Sequence, residues 1–139
     1  MKIRVMVVRE GRPSSAELSS PKAVFEFMRR RVRGLDREHF WRIDLDARSR
    51  PLGVETVSIG TLSASLVHPR EVFKAALIQG AAGIIVCHNH PSGDVTPSGE
   101  DKDATNRLRR AGELLGVPLL DHVVLAEQRF FSFKDAGLI

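Results

Sequence analysis

Residues 81–101 read Ala81-Ala82-Gly83-Ile84-Ile85-Val86-Cys87-His88-Asn89-His90-Pro91-Ser92-Gly93-Asp94-Val95-Thr96-Pro97-Ser98-Gly99-Glu100-Asp101. The apolar run from Ala81 to Cys87 predicts a buried strand. Side chains alternate faces along a strand, so His88 and His90, two positions apart, point to the same side as a chelating pair. Pro91, Gly93 and Pro97 break the strand into a tight loop, and a helix is predicted to start at Ser98. That turn places a carboxylate near the two imidazoles. Two nitrogens and one oxygen around a borderline metal leave a fourth position open. This is the arrangement of a catalytic zinc, whereas structural zinc sites are usually closed by four ligands, commonly thiolates.

His88, His90, Ser98 and Asp101 spell H-x-H-x7-S-x2-D without a gap. The pattern resembles the motif of the JAMM (MPN+) metalloprotease family. Its flanks narrow the likeness: the His-Asn-His-Pro-Ser-Gly-Asp run, Val67-His68-Pro69-Arg70-Glu71 upstream and Leu120-Asp121-His122-Val123-Val124 downstream resemble the RadC branch, over a span from about Asp36 to the C-terminus. The resemblance implies an α/β domain of three α-β-α layers around a mixed sheet, similar to the cytidine-deaminase-like architecture. It implies Zn2+ held by His88, His90 and Asp101, with Ser98 beside the attacking water to stabilise an oxyanion. It also implies an upstream glutamate as general base, which falls at Glu38 in Asp36-Arg37-Glu38-His39-Phe40. Glu55, at the start of another predicted strand, is the alternative, and either must reach hydrogen-bond distance of the water. The implied activity is metal-assisted hydrolysis of peptide or isopeptide bonds. The family's association with DNA repair leaves a second reading, a nucleic-acid-binding module that retains a metal site.

Each of these residues also has a plainer explanation. A single buried histidine is more often a hydrogen-bonded core residue than a ligand; the pair with Asp101 reverses that preference. Ser98-x-x-Asp101 is also a capping-box-like helix start, and ligation and capping compete for one carboxylate orientation. Ser98 serves equally as an N-cap, and Glu38 as an exposed charge at a strand end. Cys87 precedes His88, so its sulfur faces away from both imidazoles and is expected in the core. Zinc deaminases need H-x-E and a later P-C-x-x-C, which a chain with one cysteine cannot supply. The helical H-E-x-x-H signal is absent too. Asp121 and His122, in an apolar strand, are read as structural, with a role for either in orienting the site by hydrogen bonding the lesser alternative. His68, before Pro69, is a helix-entry residue.

The remaining sequence agrees with one domain and one core: 139 residues, 42% hydrophobic. Residues 1–35 are expected to add an N-terminal strand (Ile3 to Val8) and a helix (Pro21 to Val32, stopped by Gly34) to the RadC-like domain at 36–139. Phe40 to Leu45 and Val54 to Ile59 alternate like a hairpin. A helix from Pro69 to Gly80, a helix from Glu100 to Leu115 closed by Gly116, and strands over Pro118 to Leu125 and Phe130 to Phe133 complete the α/β alternation. The single cysteine and the lack of a leader-like opening predict a cytoplasmic protein, and no stretch is long enough to span a bilayer. The net charge is +4, with a pI near 9.8. Arg29, Arg30, Arg31 and Arg33 form one cluster and Arg107, Arg109 and Arg110 another; both are read first as helix C-terminal charges and second as a phosphate-binding surface. Many RadC-like chains carry a helix-hairpin-helix module, a DNA-binding element, ahead of this domain. The expectation here is a chain lacking it.

Overall fold

Strand parity builds most of this molecule. The computed structural model describes residues 1–61 and 67–139. Helix α1 (Pro21–Val32) starts where Ser20 Oγ accepts from the Ala23 amide at 3.1 Å, with Pro21 pre-set for the first turn. Strands β1 (His39–Leu45) and β2 (Pro51–Ile59) form an antiparallel hairpin. Its turn is organised by Asp46, whose Oδ1 accepts from the amides of Arg48 and Arg50 at 2.8 and 2.9 Å. Helix α2 (Pro69–Gln79) ends at left-handed Gly80, with φ 68°. Strand β3 (Gly83–Asn89), helix α3 (Gly99–Leu115), strand β4 (Leu119–Leu125) and strand β5 (Phe130–Ser132) follow. The sheet order is β2-β1-β3-β4-β5. Among the described residues only β3 and β4 run parallel, joined through α3, so the sheet is mixed.

Both parities of β3 are apolar, which suits a strand covered on both faces. On one face Phe40, Ile84, Val86 and Leu119 pack against Val72, Phe73 and Ala76 of α2 and Ala104 and Leu108 of α3. On the other, Trp41, Ile43, Ile85, Cys87 and Leu125 meet Val24, Phe25, Met28 and Val32 of α1. The result is the three-layer α/β arrangement that the RadC resemblance implies. Polar exceptions in the core are paired. Arg42, 1% exposed, donates to Asp44 at 2.5 and 2.9 Å, to Glu55 at 2.6 Å and to the Val72 carbonyl at 2.7 Å. A buried guanidinium is tolerated on such terms, and here it pins α2 to the hairpin.

Two expectations need correction. Ile3 to Val8 forms no strand: none of it joins the sheet, and Ile3, Val5, Met6 and Val8 are 63–82% exposed. Alternation assigns side chains to faces, but a strand also needs a neighbouring ladder for its amides and carbonyls. The second arginine cluster does not lie at a helix C-terminus. Arg107, Arg109 and Arg110 fall in the body of α3, whose last turn carries no basic residue, and Arg109 pairs instead with Glu113 at 2.9 Å.

Gly112 is where α3 runs closest to the chain that follows it. A Cβ there would meet the Val117 carbonyl oxygen at 2.6 Å, the Leu119 amide nitrogen at 3.2 Å and Phe73 Cζ at 3.3 Å. Backbone cannot swing aside, so Gly112→Ala should destabilise the fold by about 1–3 kcal/mol, the usual range for overpacking. Urea midpoints of the two proteins measure this; equal midpoints would contradict the close approach.

Candidate metal centre

The sheet topology gathers the predicted residues at one end. β3 finishes there, β1 runs antiparallel to it and therefore starts there, and α3 begins on the same rim, as open α/β sheets favour for ligand sites. Glu38, Thr61, His90, Pro91, Ser92, Ser98, Gly99, Glu100 and Asp101 line a cleft of about 600 Å³. His88, fully buried in register with Phe40, contacts the lining residues His90 and Asp101.

His88, His90 and Asp101 converge with their donor atoms all within 4.8 Å of one another. His88 Nε2 is 2.9 Å from His90 Nε2 and 3.3 Å from Asp101 Oδ1, and His90 Nε2 is 3.3 Å from Asp101 Oδ2. His90 Nδ1 lies 2.7 Å from the Asp94 carbonyl, which can only accept. The proton therefore sits on Nδ1, and the Nε2 lone pair faces the other two donors. Electron-pair donors brought this close repel unless a cation sits among them. Two imidazole nitrogens and a carboxylate suit a borderline divalent ion such as zinc, so these residues fit the group that the sequence motif implies.

The electrostatics agree. Burial works against the Asp101 anion, but the neighbouring imidazoles and the bond from the Ser98 amide outweigh that and hold the carboxyl far below the usual carboxylate range. The bond to Asp101 raises the His90 pKa against an opposing effect of burial.

The capping orientation expected to compete with ligation also turns the Asp101 carboxylate toward both imidazoles. Asp101 Oδ2 accepts from the Ser98 amide at 2.8 Å, and Ser98 Oγ accepts from the Asp101 amide at 3.0 Å. The reciprocal box holds the carboxylate in the orientation that presents Oδ1 to His88. Ser98 is thus the N-cap, and its hydroxyl keeps a proton to give at the cleft wall.

Glu38 lies in the same cleft, its Oε1 3.9 Å from His90 Nε2. Glu55 is engaged elsewhere, bonded to Arg42. The residue that sequence reasoning missed is Asn89. Its Oδ1 accepts from the His39 amide at 2.7 Å and its Nδ2 donates to the Arg37 carbonyl at 3.0 Å. It grips the two peptide groups that flank Glu38 and so fixes where that carboxylate starts. The available signal was its parity: between two histidines on one face, Asn89 had to point to the other.

His122 is completely buried, its Nε2 2.7 Å from His88 Nδ1 and its Nδ1 2.5 Å from Thr105 Oγ1. Burial pushes its pKa well below the ordinary histidine value. Asp121 is structural, accepting from Ser132 Oγ at 2.6 Å and from the Lys134 amide at 3.0 Å. His68 is an exposed helix-entry residue that does not line the cleft. Cys87 is fully buried in the α1-side core, where desolvation drives its thiol pKa sharply upward. Arg29, Arg30 and Arg31 occupy the last turn of α1, and Arg29 and Arg31 stack over Phe25 and Phe27 at 5.5 and 5.3 Å. Among the described residues no helix is long and apolar enough to cross a membrane.

Comparison with known proteins gives a consistent picture. The RadC-like JAB domain family matches residues 18–138, so the likeness starts ahead of Asp36 and takes in α1. A UPF0758 protein of Symbiobacterium thermophilum is 50% identical over 123 residues, 88% of this chain and 53% of its own length. Another, from Rubrobacter xylanophilus, is 46% identical over 136 residues, covering 98% of this chain and 59% of the relative. A third, from Desulfitobacterium hafniense, is 44% identical over 122 residues, 88% of this chain and 54% of the relative. The chain thus spans little more than half the length of these relatives.

Proposed function

From the premise that this chain belongs to the RadC-like JAB domain family, we propose that it is a zinc-dependent hydrolase of peptide or isopeptide bonds. One observation carries the reading: His88, His90 and Asp101 converge at the wall of a cleft that also holds Glu38 and Ser98. Those three side chains would hold the ion. A zinc ion bound there supplies Lewis acidity, lowering the pKa of a water molecule and polarising an amide carbonyl.

The chain's own residues do the rest. Glu38 accepts the proton of the attacking water and returns it to the leaving amine. Ser98 donates its hydroxyl proton towards the oxygen on which negative charge grows, a hydrogen bond stronger in the transition state than in the ground state. Asn89 fixes the peptide groups on either side of Glu38 and so limits where its carboxylate can go. The test is cleavage of peptide and isopeptide libraries by the zinc-loaded chain. Hydrolysis that disappears on chelation and returns with zinc is the expected result; a zinc-loaded chain that cuts neither bond class contradicts the proposal.

Asn89→Ala should retain zinc, because the Asn89 side chain faces away from the ligands, yet lower kcat about 10- to 100-fold through misplacement of Glu38. Steady-state kinetics beside a zinc count would check this, and an unchanged kcat would remove Asn89 from the account. The nucleic-acid reading has less support. Two of the four arginines that would carry it, Arg29 and Arg31, are stacked on their own helix's aromatic rings.

A further inference from the structure

We propose that Thr105 and His122 are positioning residues that lock His88 in the tautomer whose Nε2 lone pair faces Asp101 and His90, through a directed hydrogen-bond chain that starts at the Asp101 backbone carbonyl. The inference rests on the metal reading above and adds residues that the H-x-H-x7-S-x2-D pattern does not contain.

The direction of each bond follows from the one before it. Thr105 Oγ1 is 2.7 Å from the Asp101 carbonyl, an atom that only accepts, so the threonine proton is spent there. Oγ1 must then accept from His122 Nδ1, 2.5 Å away, which puts the His122 proton on Nδ1. The His122 ring is enclosed by aromatic neighbours, stacked on Phe133 at 4.5 Å between centroids and edge-on to Phe40 at 6.1 Å. With one proton on that ring, Nε2 is an acceptor, and His88 Nδ1 at 2.7 Å is its donor. His88 therefore carries its proton on Nδ1. Its Nε2 is bare and faces Asp101 Oδ1 at 3.3 Å.

A ligating histidine commonly gives its second N–H to a carboxylate or a carbonyl. Here the acceptor is a neutral imidazole, which cannot fix a tautomer unless something fixes its own. Thr105 does that, one turn along α3 from Asp101. The same helical turn thus supplies one ligand directly and sets the protonation of a second at a distance.

Two-bond ¹⁵N–¹H spectra of the metal-free chain read the tautomers. The expected pattern is a protonated Nδ1 and a bare Nε2 on both His88 and His122. A proton on His88 Nε2 overturns the proposal. Thr105→Val keeps the shape and removes the hydroxyl acceptor; it should weaken zinc affinity about 10- to 100-fold, the usual cost of losing such a partner, and give His88 a mixed tautomer signal. Thr105→Ser should restore both. Parent-like zinc affinity in Thr105→Val would also overturn the proposal. If that variant does not fold, the spectrum of the unsubstituted chain still decides. A chain that binds no zinc yet shows the expected tautomers would sink the metal reading and leave the relay standing.

Discussion

Glu38→Gln should leave one zinc per chain and lower kcat for amide hydrolysis by about 10²- to 10⁴-fold, the range a positioned general base contributes. The substitution keeps the size and hydrogen-bonding capacity of the side chain and removes its ability to take a proton. Glu38 sits in the cleft with its Oε1 3.9 Å from His90 Nε2, but it is not one of the three residues proposed to hold the ion. Binding and turnover should therefore separate. The alternative base, Glu55, is bonded to Arg42, and Arg42 is also committed to Asp44 and the Val72 carbonyl. Glu55→Gln should accordingly act on stability before it acts on rate. Kinetics of the two variants, each with its zinc content measured, check the assignment. If Glu38→Gln turns over like the parent, another group is the base.

Asp101→Asn should weaken zinc binding by more than the roughly 10- to 100-fold that follows loss of an outer hydrogen-bond partner, because it removes the only anion among the ligands. The fold should survive. An asparagine side-chain oxygen can still accept from the Ser98 amide, and the Asp101 backbone amide still meets Ser98 Oγ, so the N-terminus of α3 stays capped at a cost of about 1 kcal/mol or less. The variant thus separates the two jobs that the carboxylate performs in one orientation. Zinc titration against a competing chelator, with thermal unfolding of the metal-free proteins alongside, measures both effects. Undiminished affinity would remove Asp101 from the ligand set, and gross unfolding would mean that the cap depends on the charge.

Sequence pattern gave up the local features of this molecule more readily than its long-range ones. Parity along residues 81–90 correctly put His88 and His90 on one face and Cys87 in the opposite core, because alternation is a property of the strand alone. The bounds of α1 were legible from Pro21, the 3.6-residue apolar period and Gly34. Ile3 to Val8 misled for the converse reason: it alternates like a strand, but pairing is a property of two segments, and none of the five sheet strands includes it. How cap and candidate ligand share one carboxylate was visible only in three dimensions, where Oδ1 faces His88 while Oδ2 takes the Ser98 amide and still lies 3.3 Å from His90. Parity turned Asn89 away from the histidines but could not name its partners, because Arg37 and His39 lie 52 and 50 positions away. His122 meets His88, and Thr105 meets His122, only because β3 and β4 are parallel neighbours with α3 packed across them.

The central claim is that two imidazoles and one carboxylate share a single zinc ion and leave room for solvent. X-ray absorption at the zinc edge of the loaded chain tests it most directly. The expected result is one zinc per chain with only nitrogen and oxygen neighbours, two of them imidazole, and an imidazole signal that is lost in His90→Ala. A chain that retains no stoichiometric zinc, or a coordination shell containing sulfur or a third imidazole, would contradict it.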